Sequence, residues 1–436
     1  MQHIDTLIHA RWIVPVEPEG QILEDYAIAV HEGTIISVLP FRDAEARYAP
    51  QTQHSLPNHV LIPGLINTHT HAAMTLFRGI ADDLPLMDWL HNHIWPAETR
   101  WVNEAFVYDG TRLAAAEMLR GGTTCFNDMY FYPDEAARAV SEAGIRAVLG
   151  LIVLDFPTAW AHDGEGYIAR GIEVHDQCRH EPLVSTAFAP HAPYSVSNAS
   201  LERVRVLAEE LDIPIHMHVH ETGDELAHSQ DQYKMRPIAR LDRLGLLSPR
   251  LMAIHMTHVA EDEITLFATN GAHVVHCPES NLKLASGLCP VERFLAPGVN
   301  VALGTDGCAS NDDLDMFGEM RTAALLAKGL ANSARSLPAA RVLGMATIHG
   351  ARALGLDDTI GSLVPGKAAD IVAIDLRAIE TQPVYNPIAQ LVYSASRQQV
   401  TQVWVAGRQV LKDRVLTTLD EAELLDKAER WRSRIA

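Results

Sequence analysis

Between about Leu61 and Gly355 the chain alternates short apolar runs with amphipathic helical stretches, and this alternation constrains the fold more than any other feature. The runs LIPGLINTH, GTTCFNDM, GIRAVLGLIV, LVSTAFAPH, IPIHMHV, LMAIHMTHV, AHVVHCP and NVALGTD each read as a buried strand. Helical patterns such as EAFVYDGTRLAAAEMLRGG and SLERVRVLAEELD intervene. Eight strands alternating with helices over roughly 300 residues is what an α/β fold of the (β/α)8, TIM-like barrel type requires. A doubly wound sheet would alternate too, but the GxGxxG phosphate loop that often marks one is missing.

The two flanks have a different character. DTLIHARWIVPV and EDYAIAVHEGTIISVLP read as strands with a turn at Glu32-Gly33, and the region from Gly361 repeats the pattern with a turn at Ala406-Gly407. Neither flank has enough strands to close a core alone. We therefore expect residues 1–60 and 361–436 to build one small composite β-sandwich domain with a C-terminal helix, and residues 61–360 to form the barrel.

Composition narrows the function. The formal net charge of −20 argues against a nucleic-acid or polyphosphate partner, which clustered Lys and Arg would have to bind. A small, neutral or weakly charged substrate fits better. The five cysteines (Cys125, Cys178, Cys277, Cys289, Cys308) are scattered and form no C-x-x-C pair, so neither a disulfide framework nor a thiolate zinc site is expected. The N-terminus has no signal-peptide pattern and no stretch of about 18 apolar residues occurs, so a cytoplasmic protein without membrane contact is expected.

The chemistry sits where the strand runs end. Barrel enzymes place catalytic groups at the C-terminal ends of their strands. Here nearly every run ends in His, Asp or Glu: His69 and His71 on the first strand, His218 and Glu221 at the fifth, His255 at the sixth and Asp306 at the eighth. A spacing of two on a strand points both imidazoles to one side, so one metal can receive His69 and His71. Nitrogen and carboxylate donors suit zinc or iron, and three or four of them leave a position open for water. A lone histidine on such a strand is more often a hydrogen-bonded core residue; agreement among four separate strand ends makes the set informative.

With these residues in view, the chain resembles the amidohydrolase superfamily. PGLINTHTHAAMTLFRG, GTTCFNDM, HMHVHET, LGTDGCASNDDLDMF and GSLVPGKAADIVAID are similar to the branch that holds methylthioadenosine/S-adenosylhomocysteine deaminases and the chlorotriazine hydrolases. The resemblance implies one zinc ion per subunit, with iron as the alternative, held by His69, His71, His218 and Asp306. Asp306 is then also the proton acceptor for the attacking water, His255 its orienting partner, and Glu221 the proton shuttle to the ring nitrogen of the substrate. His216 and His220 share the period-two face of His218 and are expected to support it. Two-metal members of the superfamily bridge their ions with a modified lysine on the fourth strand. This chain has His191 there, which favours a single metal and a base-binding role for His191.

The same resemblance gives Glu98 the ribose hydroxyls; Trp89 offers either a flat wall near that position or a core residue, and Ser310, four beyond Asp306, a polar contact to the base or sugar. It implies hydrolytic deamination of an adenine nucleoside: 5′-methylthioadenosine first, with adenosine and S-adenosylhomocysteine as further substrates. Relatives that take S-adenosylhomocysteine have an arginine before the fourth strand for its carboxylate tail. Around AHDGEGYIARGIEV only Arg170 is a candidate. Competing readings are a hydrolase of the same family that displaces chloride or deaminates guanine or a triazine, and a non-catalytic relative that should have lost ligands this chain keeps. A homo-oligomer is expected.

Overall fold

The computed structural model describes residues 1–436. Sixteen strands form two sheets of eight. The first sheet contains β1 (Gln2–Ile13), β2 (Leu23–His31), β3 (Thr34–Pro40) and β4 (Tyr48–Pro63), and later β13 (Ile371–Asp375), β14 (Val400–Val405), β15 (Arg408–Lys412) and β16 (Val415–Leu416). The second contains β5 (Leu65–Thr70), β6 (Thr123–Tyr130), β7 (Arg146–Val153), β8 (Val184–Pro190), β9 (Ile215–Val219), β10 (Leu251–His255), β11 (His273–His276) and β12 (Val301–Leu303).

β5 to β12 pair in parallel in chain order, with helices in the connections. Their residues are buried on both faces, as parallel strands under a coat of helices must be. The expected helical stretches form Glu104–Arg120 and Asn198–Leu211, whose first turns are capped by Asn103 and Ser197 accepting from backbone N–H groups. The last strand returns to the first, and side chains make the join. Asn67 Nδ2 donates to Thr305 Oγ1 (2.7 Å), Thr305 N–H donates to Asn67 Oδ1 (3.0 Å), and Asp306 N–H donates to the His69 carbonyl (3.0 Å). Gly304 allows this approach, since a Cβ there would stand 2.7 Å from the His69 nitrogen. The barrel is thus closed at the point where its ligand-bearing ends meet.

The run LIPGLINTH, read from sequence as one strand, divides at Gly64: β4 ends at Pro63 in the first sheet and β5 begins the barrel at Leu65. A side chain at Gly64 would collide with Thr124, so the crossing point between the two sheets has no room for one.

The first sheet runs β16-β15-β14-β13-β4-β1-β2-β3 and is built from both ends of the chain as expected. β4 joins the halves, pairing β1 in parallel and β13 antiparallel. Ile8, Ile28, Leu61, Ile371 and Trp404 bury together in a core of its own. Its hairpins turn at Glu32-Gly33 and Ala406-Gly407, all four residues having positive φ, as two-residue hairpin turns of the right twist need. The sheet docks at the N-terminal ends of the barrel strands. There Arg146, at the start of β7, pairs with buried Asp370 (3.2 Å), which also accepts the Ala406 N–H. The C-terminal helix Glu421–Ile435 lies against the helix Glu104–Arg120 through Trp431 and Phe106 and through the Arg112–Glu423 pair. No helix is long and apolar enough to cross a membrane.

Candidate active site

At the opposite, C-terminal rim, four donor atoms from His69, His71, His218 and Asp306 lie within 4.8 Å of one another. His69 Nε2 and His71 Nε2 stand 3.3 and 3.2 Å from Asp306 Oδ1, and His218 Nε2 stands 3.2 Å from His69 Nε2. The remaining ring nitrogens are all engaged. His71 Nδ1 donates to the Met129 carbonyl (2.6 Å), His218 Nδ1 donates to the His191 carbonyl (2.7 Å), and His69 Nδ1 contacts His216 Nε2 (2.9 Å). A carbonyl can only accept, so the Nδ1 tautomer is set in His71 and His218 and their Nε2 lone pairs are free. Two such nitrogens cannot hydrogen-bond to each other, whereas a cation between them satisfies both. Three nitrogens and a carboxylate oxygen match the donor set of a zinc or iron site with room for water. The residues therefore fit the metal that the sequence suggests.

Backbone conformation aims the neighbouring groups. His255 (φ 74°) and Asp306 (φ 65°) adopt left-handed conformations at the ends of their strands, which turns the chain sharply while the side chains stay over the barrel. Asp306 Oδ2 accepts from Ser280 Oγ (2.7 Å), which leaves Oδ1 toward the histidines. His255 Nδ1 meets Asn281 Oδ1 (2.8 Å), an acceptor, so the ring carries its proton there and presents Nε2 to the cavity. That Nε2 has no hydrogen-bond partner and stands 3.8 Å from Glu221 Oε2. Burial pushes the Glu221 carboxyl above its usual range.

One cavity of about 420 Å³ brings these groups together with the sequence-predicted contacts: Trp89, Glu98, His191 and Ser310 line it beside His71, His218, Glu221, His255 and Asp306. His69 is fully buried beneath the floor. Glu98, on the helix Trp95–Trp101, is half-buried and lines the cavity. Burial pushes its pKa up to about 7, with the facing Tyr130 hydroxyl pulling the other way. Tyr130 Oη still lacks a hydrogen bond of ordinary geometry. His191 Nδ1 is held by Ser195 Oγ (3.0 Å), and burial lowers its pKa to about 3, so the ring is neutral. Trp89 is buried with its indole N–H unpartnered. Leu90, Ile94, Trp95, Phe156 and Trp160 give the cavity an apolar share of its lining, and neither Lys nor Arg lines it.

Three differences from the sequence reading stand out. His216 meets His69 rather than His218, and His220 does not share the face of His218. Its φ of 55° breaks the period-two alternation, and the ring turns to within 3.8 Å of Glu263. Arg170 is exposed on the helix Gly164–Cys178, outside the cavity lining. Ser280 and Asn281, which follow the seventh strand in HCPESN, went unnoticed, as did Tyr130, one residue past the run GTTCFNDM. The strand-end rule applied to the second strand would have found Tyr130, the last residue of β6, whereas Ser280 and Asn281 sit past β11 on the helix Pro278–Lys283.

A closed parallel barrel with a His-x-His pair, a third histidine and an aspartate at its C-terminal rim defines a metal-dependent barrel hydrolase. The chain belongs to the amidohydrolase family, whose sequence profile matches residues 60–410. More particularly, it is 50% identical over 431 residues to the 5-methylthioadenosine/S-adenosylhomocysteine deaminase of Saccharophagus degradans, covering 99% of this chain and 97% of that protein. It superposes on the crystal structure of an adenosine deaminase from Xanthomonas campestris with bound zinc at a TM-score of 0.98, with 56% identity and 100% and 99% of the two chains covered. The atrazine chlorohydrolase TrzN from Arthrobacter aurescens shares the fold at a TM-score of 0.90 and 24% identity, over 98% and 99% of the chains.

Proposed function

We propose that this protein is a zinc-dependent aminohydrolase that converts 5′-methylthioadenosine, and adenosine with it, to the inosine analogue and ammonia. The observation that carries the reading is the single cavity in which the four-donor cluster, the Glu221–His255 pair and Glu98 face one another. The names of the full-length relatives and the zinc in the Xanthomonas enzyme support it.

When bound, zinc lowers the pKa of a water to about 7 and so makes it nucleophilic at neutral pH. His69, His71, His218 and Asp306 would hold the ion. Asp306 takes the proton of the attacking water, and His255 Nε2 orients that water toward C6 of the purine. Glu221 delivers a proton to the adjacent ring nitrogen and later helps ammonia leave. Glu98 receives the two ribose hydroxyls, since one carboxylate can accept from both. Neutral His191 and Ser310 contact the base or sugar, and Trp89 supplies a flat wall. The apolar lining suits a methylthio group. With Arg170 outside the lining, it offers no cation to the carboxylate of S-adenosylhomocysteine, which ranks below the other two.

Metal analysis together with ammonia release from adenosine, methylthioadenosine, S-adenosylhomocysteine, guanine and a chlorotriazine tests this directly. Zinc-replete protein that releases no ammonia from any nucleoside would refute it. The division into residues 1–60 plus 361–436 and 61–360 is our reading of the domains, open to limited proteolysis. A homo-oligomer is our reading of the assembly, open to sedimentation. The five free, buried cysteines support a cytoplasmic location.

A further inference from the structure

Glu221 stands beyond the end of β9, where no strand ladder holds it, and its carboxylate is only loosely engaged, with His255 Nε2 3.8 Å away. Yet both backbone groups of His220 and of Glu221 are occupied. The carboxylate of Glu225, on the helix Gly223–Tyr233, accepts the His220 N–H through Oε1 (2.9 Å) and the Glu221 N–H through Oε2 (2.9 Å). From the other side Thr257, just past β10, donates its N–H to the His220 carbonyl (3.0 Å) and its hydroxyl to the Glu221 carbonyl (2.7 Å). Glu225 is 5% exposed and Thr257 8%. The segment they grip includes His220 at φ 55°, a conformation that surroundings must enforce.

We propose that Glu225 and Thr257 are positioning residues that clamp the backbone of Glu221 and so aim its carboxylate at the reacting ring. This rests on the reading of Glu221 as the proton shuttle. Glu225 gives one carboxyl oxygen to each of the two N–H donors; burial pushes its pKa up to about 8 while these two backbone bonds pull it down. A glutamine would turn its NH2 group against one of those donors, leaving a buried backbone donor unpaired. Valine at 257 keeps the shape of threonine but leaves the Glu221 carbonyl without the hydroxyl donor.

The test measures zinc content, melting temperature, kcat and KM on methylthioadenosine for Glu225→Gln, Thr257→Val and Thr257→Ser, each in the native background and in Glu221→Gln. Glu225→Gln and Thr257→Val should lower kcat by about 10- to 100-fold, the usual loss on removing an outer-shell partner. Zinc content and KM should stay near native, and Thr257→Ser should recover the rate. Against Glu221→Gln neither change should lower the residual rate further, because both act through that side chain. Native kcat in either clamp variant, loss of zinc, or an undiminished further loss on Glu221→Gln would overturn the clamp. Native turnover in Glu221→Gln alone would remove the shuttle and the clamp with it, whereas a dead Glu221→Gln beside a fully active Glu225→Gln sinks only the clamp.

Discussion

The Glu98 carboxyl opens onto a cavity walled by Trp89, Val102 and Trp160, and burial holds its pKa at about 7. Its ionised form accepts from two vicinal hydroxyls, and protonation removes that capacity. KM for a nucleoside with both ribose hydroxyls should therefore rise as pH falls through about 7, while a 2′,3′-dideoxy analogue should show a flat profile; steady-state kinetics across pH decides. Glu221→Gln should keep its zinc and lose turnover by about 10²- to 10⁴-fold, the range for removing a general acid–base group, as metal analysis beside initial rates would show. Strand-end placement made His69, His71, His218, Glu221, His255 and Asp306 legible as a group, and the family resemblance picked His69, His71, His218 and Asp306 from it as the donors. Ser280, Asn281 and Thr257 were not legible, since a short polar side chain after a strand looks like any loop residue until its partner, far away in sequence, is known. Glu225 was hidden for the same reason, two adjacent backbone N–H groups being gripped by a residue that reads as an ordinary first-turn helix carboxylate.

At the scale of elements, apolar runs announce buried strands but not where one sheet hands over to another. The passage from β4 to β5 depends on a close approach of Thr124 to Gly64, and the turn of His220 away from the cavity on a positive φ, neither of which a two-residue period can report. The seam between β12 and β5 carries its own prediction. A methyl group at Gly304 would press on the His69 backbone and Cβ, at 2.7 and 2.8 Å. Gly304→Ala should cost about 1–3 kcal/mol by overpacking and weaken metal retention at once, measurable as a lower melting temperature and a faster loss of zinc to a chelator. His216→Ala tests the layer beneath. Without a partner for His69 Nδ1, zinc affinity should fall by about 10- to 100-fold, readable in competition titrations with the fold intact by circular dichroism.

For the whole molecule, the sequence indicated that both termini share one β module because neither had strands enough alone; the Arg146–Asp370 link that fastens the module to the barrel was invisible, its partners being more than half the chain apart. Arg146→Met leaves Asp370 buried without its countercharge and should destabilise the protein by about 3–5 kcal/mol, with kcat of the surviving folded fraction unchanged. Thermal melting beside active-site titration would separate the two effects. The link lies at one rim and the donor cluster at the other, so stability and chemistry can be altered apart. The closure of the barrel also sets an order in time. His69 and His71 leave the ribosome early, His218 in mid-synthesis, and Asp306 only when most of the polypeptide has been made. A growing chain thus offers at most three donors at unclosed strand ends, and secure capture of the ion must wait for the eighth strand to dock against the first.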